Sequence, residues 1–108
     1  MALDFHIAKS EKEAPLKYGG ASFDETIHEI IFHRNGLPKS SFVYFRRMQD
    51  YYKDAKYIGE EVKKLRTEIM ELEKNFAGND GIINQLNEIK RMCHKAIDKK
   101  MNIWVYCD

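Results

Sequence analysis

Two apolar stripes joined by a short turn constrain the fold of this chain more than any other feature. The first stripe advances in alternating steps of four and three: Ile58, Val62, Leu65, Ile69, Leu72 and Phe76. The second is of similar length: Ile82, Leu86, Ile89, Cys93, Ala96 and Ile97. Such spacing places each set on one side of a helix. Residues 77–81, Ala-Gly-Asn-Asp-Gly, end the first helix, and Asn79 or Asp80 is expected to cap the second.

The stripes therefore predict a long antiparallel helical hairpin. The same heptad-like seam also permits self-association, because such stripes form coiled coils between chains as readily as within one.

Both ends of the chain have the pattern of a strand. Residues 2–8 alternate, with Leu3, Phe5 and Ile7 on one face and Asp4 and His6 on the other. Residues 102–107 are β-branched and aromatic, and they alternate in the same way: Ile103, Val105 and Cys107 against Trp104 and Tyr106. A lone strand leaves its backbone groups unpaired. We therefore expect the two terminal strands to lie side by side, with helices covering one face.

The segment between the first strand and the hairpin predicts two further helices. Ser22 with Glu25 matches a capping box, and the apolar residues that follow keep helical spacing to about Arg34, where Asn35-Gly36 stops the helix. Residues 9–21 form a loop, broken by Pro15 and by Gly19-Gly20. Ser40 or Ser41 caps a second helix whose apolar side includes Phe42, Phe45 and Met48. Residues 50–57 either break that helix or continue it.

Together these elements predict a mostly helical α+β fold in one domain, residues 1–108. It contains about four helices, including the hairpin, and a small sheet in which the N- and C-terminal strands pair. A chain of 108 residues is long enough for one core and too short for two.

Charge and hydropathy exclude several function classes. Eighteen basic residues against 17 acidic ones give a net charge of +1, which argues against a dedicated nucleic-acid binder. No apolar run is long enough to cross a membrane, and the first residues lack the pattern of a secretion signal. A cytoplasmic protein is expected. The near-zero net charge is the sum of segments with opposite charge. Residues 1–36 carry four basic and six acidic side chains, whereas residues 37–76 carry nine basic and seven acidic ones.

The sequence contains no recognisable catalytic or cofactor motif. Cys93 and Cys107 are expected to be reduced core thiols, and His94 is poorly placed to activate Cys93 because adjacent helical residues point about 100° apart. The four histidines do not have the spacing of metal ligands; His28 and His33, for example, are five residues apart. We therefore expect no metal, no cofactor and no enzymatic activity. A small hydrolase using Cys93 or a histidine is the least supported alternative.

The candidate binding residues are of two kinds. Arg46 and Arg47 are interleaved with Tyr44, Tyr51, Tyr52 and Tyr57, residue types that form protein–protein hot spots and that also stack on nucleic-acid bases. Asp50 and Asp54 interrupt the positive field, which favours a protein partner. Asp24, Glu25 and Glu29 give the first helix an acidic side that suits a basic partner, although carboxylates at a helix start are commonly explained by the helix dipole.

Three stretches carry a resemblance to a known class of proteins. They are Met-Ala-Leu-Asp-Phe-His-Ile at residues 1–7, Ser-Ser-Phe-Val-Tyr-Phe-Arg-Arg at 40–47, and Ile-Trp-Val-Tyr-Cys-Asp at 103–108. In these stretches, and in the order of its elements, the chain resembles small bacterial immunity proteins of the contact-dependent inhibition and polymorphic toxin type. It also resembles small phage-encoded proteins. The near-neutral charge departs from the strongly acidic immunity pattern.

The resemblance implies a protein that neutralises a bacterial toxin domain, often a nuclease, by covering its active site or substrate groove. Asp24, Glu25 and Glu29 would be the charge partners. Arg47, Tyr51, Tyr52 and Tyr57 would complete the toxin-binding surface. The alternative is a small nucleic-acid-binding or phage regulatory module that uses Arg46, Arg47 and the tyrosines.

Overall fold

A computed structural model describes residues 3–10, 12, 21–34, 41–50 and 53–107. The strands are β1 Leu3–Ala8, β2 Ala21–Phe23, β3 Ala55–Tyr57 and β4 Asn102–Cys107. The α-helices are α1 Glu25–Glu29, α2 Glu60–Asn75 and α3 Asp80–Lys99. A π-helical segment, Ile30–Arg34, continues α1, and a 3-10 helix covers Phe45–Met48. The described residues thus form a mostly helical α+β fold, with three α-helices instead of about four.

The terminal strands pair as expected, at the centre of a larger sheet. The strand order is β2-β1-β4-β3, and all neighbours are antiparallel. The β1–β4 ladder runs from Leu3 opposite Cys107 to Ala8 opposite Asn102. Leu3, Phe5, Ile103 and Val105 lie in the main core, on the face that contacts the helices. The two short outer strands were missed because three residues are too few to show alternation.

The helical hairpin is also confirmed. Val62, Leu65, Ile69 and Leu72 of α2 are buried together with the stripe of α3. Lys90 Nζ lies 2.6 Å from Glu73 Oε1, which ties the end of α2 to the middle of α3. Ile58 is an exception, since it precedes α2 and is 40% exposed. Because the seam is buried within the chain, self-association through it would require the hairpin to open.

The expected cap of the first helix is wrong. Ser22 lies in β2, where its hydroxyl donates to Asp4 Oδ1 at 2.6 Å across the strand pair. Asp24 is the cap instead, and its Oδ1 accepts from the amide of Ile27 at 3.1 Å. Pairing with β1 takes Ser22 into the sheet, so the helix begins later than its capping motif predicted. The expected stop at Asn35-Gly36 lies outside the described residues.

The expected second helix is only the 3-10 helix. Ser41 does not cap it; the side chain of Glu68 on α2 accepts from the amides of Tyr44, at 3.2 Å, and Phe45, at 2.8 Å. A carboxylate from another element therefore supplies the hydrogen-bond acceptor that a local serine hydroxyl was expected to supply. Ser40 lies outside the described residues. Within residues 50–57, the described part from Lys53 onward does not continue the helix and includes β3, Ala55–Tyr57.

Two side chains occupy the outer edges of the sheet. At β2, the amide of Gln85 on α3 donates to Ser22 O at 2.8 Å and accepts from Asp24 N at 2.9 Å, as a neighbouring strand would. At β3, Arg47 Nη1 donates to Lys56 O at 2.9 Å. Exposed edges invite pairing with other chains, and these contacts close part of each edge. None of the described helices is long and apolar enough to cross a bilayer.

The buried seam leads to a stability prediction. Leu65→Ala and Ile69→Ala should each lower the free energy of unfolding by about 2–5 kcal/mol, because each leaves a cavity in a fully buried position. Met70→Ala is the matched control on the same helix; its side chain is 50% exposed and its loss should cost less than about 0.5 kcal/mol. Urea unfolding measures all three. Losses below about 1 kcal/mol at both seam positions would contradict the hairpin packing.

Candidate functional site

Two adjoining surface depressions share Arg47 and Asp54, and together we call them the groove. The first has a volume of about 640 Å³ and lies over β3 and β4; its other lining residues are Ala55, Lys56, Glu61, Trp104 and Tyr106. The second has a volume of about 670 Å³ and lies between α1 with its π-helical continuation and the 3-10 helix with the residues after it. Its other lining residues are Glu25, His28, Glu29, His33, Arg46, Gln49, Asp50 and Lys53.

The acidic wall of the groove comes from α1. Glu25 and Glu29 are exposed and one helical turn apart, and neither carboxylate has a hydrogen-bond or ion-pair partner among the described residues. Asp24, the third acidic residue predicted to bind, is exposed but serves as the helix cap and does not line the groove. The structure thus brings two of the three predicted carboxylates to the same depression.

Arg47 stands where the two depressions meet. Its Nη2 lies 2.5 Å from Glu61 Oε2, and its guanidinium lies over the rings of Tyr44, at 4.9 Å, and Tyr57, at 5.4 Å. The hydrogen bond to Arg47 is the main reason that the pKa of Glu61 is lowered from its ordinary 4.5 to about 2. The same bond raises the pKa of Arg47. With its edge contact to Lys56 O, Arg47 is held rigidly in place.

The predicted tyrosines do not form the surface that the sequence suggested. Tyr57 is 0% exposed, and its hydroxyl donates to Tyr44 O at 2.6 Å, so it is a core residue and cannot contact a partner in this conformation. Burial raises the pKa of its hydroxyl. Tyr51 and Tyr52 lie outside the described residues. Arg46 lines the groove, but its Nε donates to Ser41 O at 2.8 Å.

The nucleic-acid alternative loses support from these contacts. Its two arginines already hold groups of the chain itself, and Glu61 neutralises Arg47 directly. Phosphate binding relies on cations that are free to replace counterions.

Trp104 and Tyr106 also belong to the candidate site, although neither was among the binding residues predicted from the sequence. Both line the first depression, on the sheet face opposite the helices. The strand register places His6 and Lys56 on either side of Trp104. Trp104 Nε1 donates to Ala8 O at 3.1 Å, and the residue is 7% exposed. The alternating pattern of the last strand could have indicated them, because it places both aromatic side chains on the face that does not contact the core.

His28 closes the floor of the second depression. It is buried against Phe23 and Phe32, and its Nε2 lies 2.6 Å from Met48 O, a distance that requires the ring to donate. This bond joins α1 to the 3-10 helix. Burial lowers the pKa of His28 from its ordinary 6.5, and His33 lowers it further, while the Met48 carbonyl, Asp50 and Glu25 oppose that change.

The remaining candidate groups have little reactivity. Cys93 and Cys107 are free thiols, and burial raises the pKa of Cys93 to about 12. A thiol that stays protonated at neutral pH is a poor nucleophile, which weighs against the Cys93 hydrolase alternative. In the part of the chain that the structure describes, no three His, Cys, Asp or Glu side chains are grouped as metal ligands.

Comparison of the chain with protein-family models, with curated proteins and with solved structures gives no match. The function must therefore be argued from the groove itself.

The neutral His28 makes stability depend on pH. The unfolded chain takes up a proton near pH 6.5, whereas the folded protein does so only at lower pH, so the free energy of unfolding should fall as the pH drops below about 6.5. Urea unfolding between about pH 8 and about pH 5 measures this dependence. His28→Gln should show a shallower loss, and the control His94→Gln, at an exposed position on α3, should show the wild-type loss. Equal slopes in all three proteins would refute the role of His28.

The ion pair gives a second pH prediction. The stabilisation by Glu61 should be complete above pH 4.5 and lost as the pH falls towards about 2. An NMR titration of the Glu61 carboxyl should give a pKa near 2 in the wild type and a value closer to 4.5 in Arg47→Met. Lys53→Met removes an exposed cation that does not contact Glu61 and should leave the value unchanged. A normal pKa in the wild type would show that the pair does not form in solution.

Proposed function

We propose that this chain is a cytoplasmic immunity protein, which binds a bacterial toxin domain and catalyses no reaction itself. The toxin class that fits best is a nuclease with a basic substrate channel, and neutralisation is by covering its active site or substrate groove. The observation that carries the proposal is the groove. It combines Trp104, Tyr106 and Arg47, the residue types most enriched in binding hot spots, with the carboxylates of Glu25 and Glu29, which have no ion-pair partner in the described part of the chain.

The groove suits binding by complementary charge followed by aromatic contact. Glu25 and Glu29 are exposed at the rim, where charges mainly raise the rate of encounter with a basic surface. Trp104 and Tyr106 line the adjoining depression, where aromatic contacts slow dissociation. Arg47 is already fixed by Glu61, Tyr44 and Tyr57, so little side-chain entropy is lost when a partner contacts it. Near-neutral net charge is compatible with this scheme, because only the local field faces the partner.

The test is co-expression with the toxin domain encoded immediately upstream of this chain's gene. We expect a stable complex that survives purification and restored growth of the host. Glu25→Lys combined with Glu29→Lys should slow association with an inactive form of that toxin by about tenfold, because the rim then repels a basic surface.

Asp98→Lys is the matched control. Asp98 is exposed on α3 and lines neither depression, so its reversal should leave the association rate unchanged. Failure of both complex formation and growth rescue would refute the proposed function. A complex that the rim reversal does not weaken would place the toxin on another surface.

A further inference from the structure

The two ends of the groove differ in the charge that remains unpaired. At the α1 end, Glu25 and Glu29 have no partner among the described residues. At the β3 end, the ammonium of Lys56 is likewise unpaired within the described part of the chain, and it lies beside Trp104 in the strand register. Of the other charged side chains that line the groove, Arg47 pairs with Glu61, Lys53 lies 4.0 Å from Asp50, and Arg46 donates to Ser41 O.

The β3 end of the groove also offers apolar and aromatic surface beside Lys56. Trp104 and Tyr106 line it from β4, and Ala55 lines it from β3. Asp54 is engaged there, because its Oδ1 accepts from the backbone amide of Cys107 at 2.9 Å. The groove therefore carries unpaired charge of opposite sign at its two ends, with aromatic surface beside Lys56 and with the bonded Arg47 and Asp54 where the two depressions meet.

We infer that the groove takes a single segment of the protein partner in one direction. That segment presents a basic side chain to Glu25 and Glu29, an aromatic or aliphatic side chain to Trp104 and Tyr106, and an acidic side chain to Lys56. This inference rests on the proposed function and adds to it the orientation and chemistry of the partner. A uniformly basic partner surface would meet repulsion at Lys56, so the segment must change sign along its length.

The closed edges of the sheet support this mode of binding over strand addition. A partner strand at β3 would have to displace Arg47 from Lys56 O, and one at β2 would have to displace Gln85 from Ser22 O and Asp24 N. Strand addition depends on free backbone groups at an edge, and these contacts already occupy part of each edge. A segment lying in the groove displaces neither contact.

The experiment measures the dissociation constant of the complex with the inactive upstream-encoded toxin domain. Lys56→Glu should raise it about tenfold or more, because two like charges then face each other. Lys56→Met removes the attraction without adding repulsion and should raise it by a smaller factor. Lys95→Glu, an exposed reversal on α3 outside the groove, should leave it within about twofold of the wild type. Circular dichroism confirms that each variant is folded.

The outcomes separate this inference from the proposed function. A complex whose affinity is unchanged by Lys56→Glu overturns the inference and leaves the immunity function standing. A complex that Lys56→Glu tightens shows a partner that is basic at both ends, and this also overturns it. If the wild-type chain forms no complex with the toxin, the proposed function fails, and the inference fails with it.

Discussion

The antiparallel pairing of the first and last strands is the constraint on which the rest of the structure depends. It brings residues nearly a full chain length apart into one ladder, from Leu3 opposite Cys107 to Ala8 opposite Asn102. Each central strand then accepts a short outer strand, β2 on β1 and β3 on β4. Because α2 and α3 cover one face, the other face is left to Trp104, Tyr106 and Lys56, and the candidate site is built there.

Several single side chains substitute for backbone partners in this small fold. Gln85 completes the outer edge of β2, Arg47 bonds the middle carbonyl of β3, and Glu68 caps the 3-10 helix. Gln85 and Glu68 come from the long helices, far away in sequence, whereas Arg47 comes from the neighbouring 3-10 helix. Short elements make few hydrogen bonds of their own, so side chains from other elements satisfy their backbone groups.

Arg47 links stability to the candidate function. It holds the edge of β3, pairs with Glu61 and stacks on two tyrosines, and it also lines both depressions of the groove. A residue fixed in this way presents a rigid surface to a partner, which reduces the entropy lost on binding. Tyr57 helps to fix Arg47 in place, because its buried ring lies against the guanidinium and is not exposed to a partner.

The long, periodic elements were determined by the sequence alone. The helical hairpin, with a cap at Asn79 or Asp80, follows from apolar spacing and turn residues, which act over a few neighbours, and the structure has Asn79 as the cap. The pairing of the terminal strands follows from their alternation and from the need of each strand for a partner. The tertiary structure decided the rest. β2 and β3 form because longer strands offer free edges, and Ser22 joins the sheet instead of capping a helix. Tyr57 is buried, and Trp104 and Tyr106 line the same depression as Arg47, because contacts between distant segments outweigh local preferences in short elements.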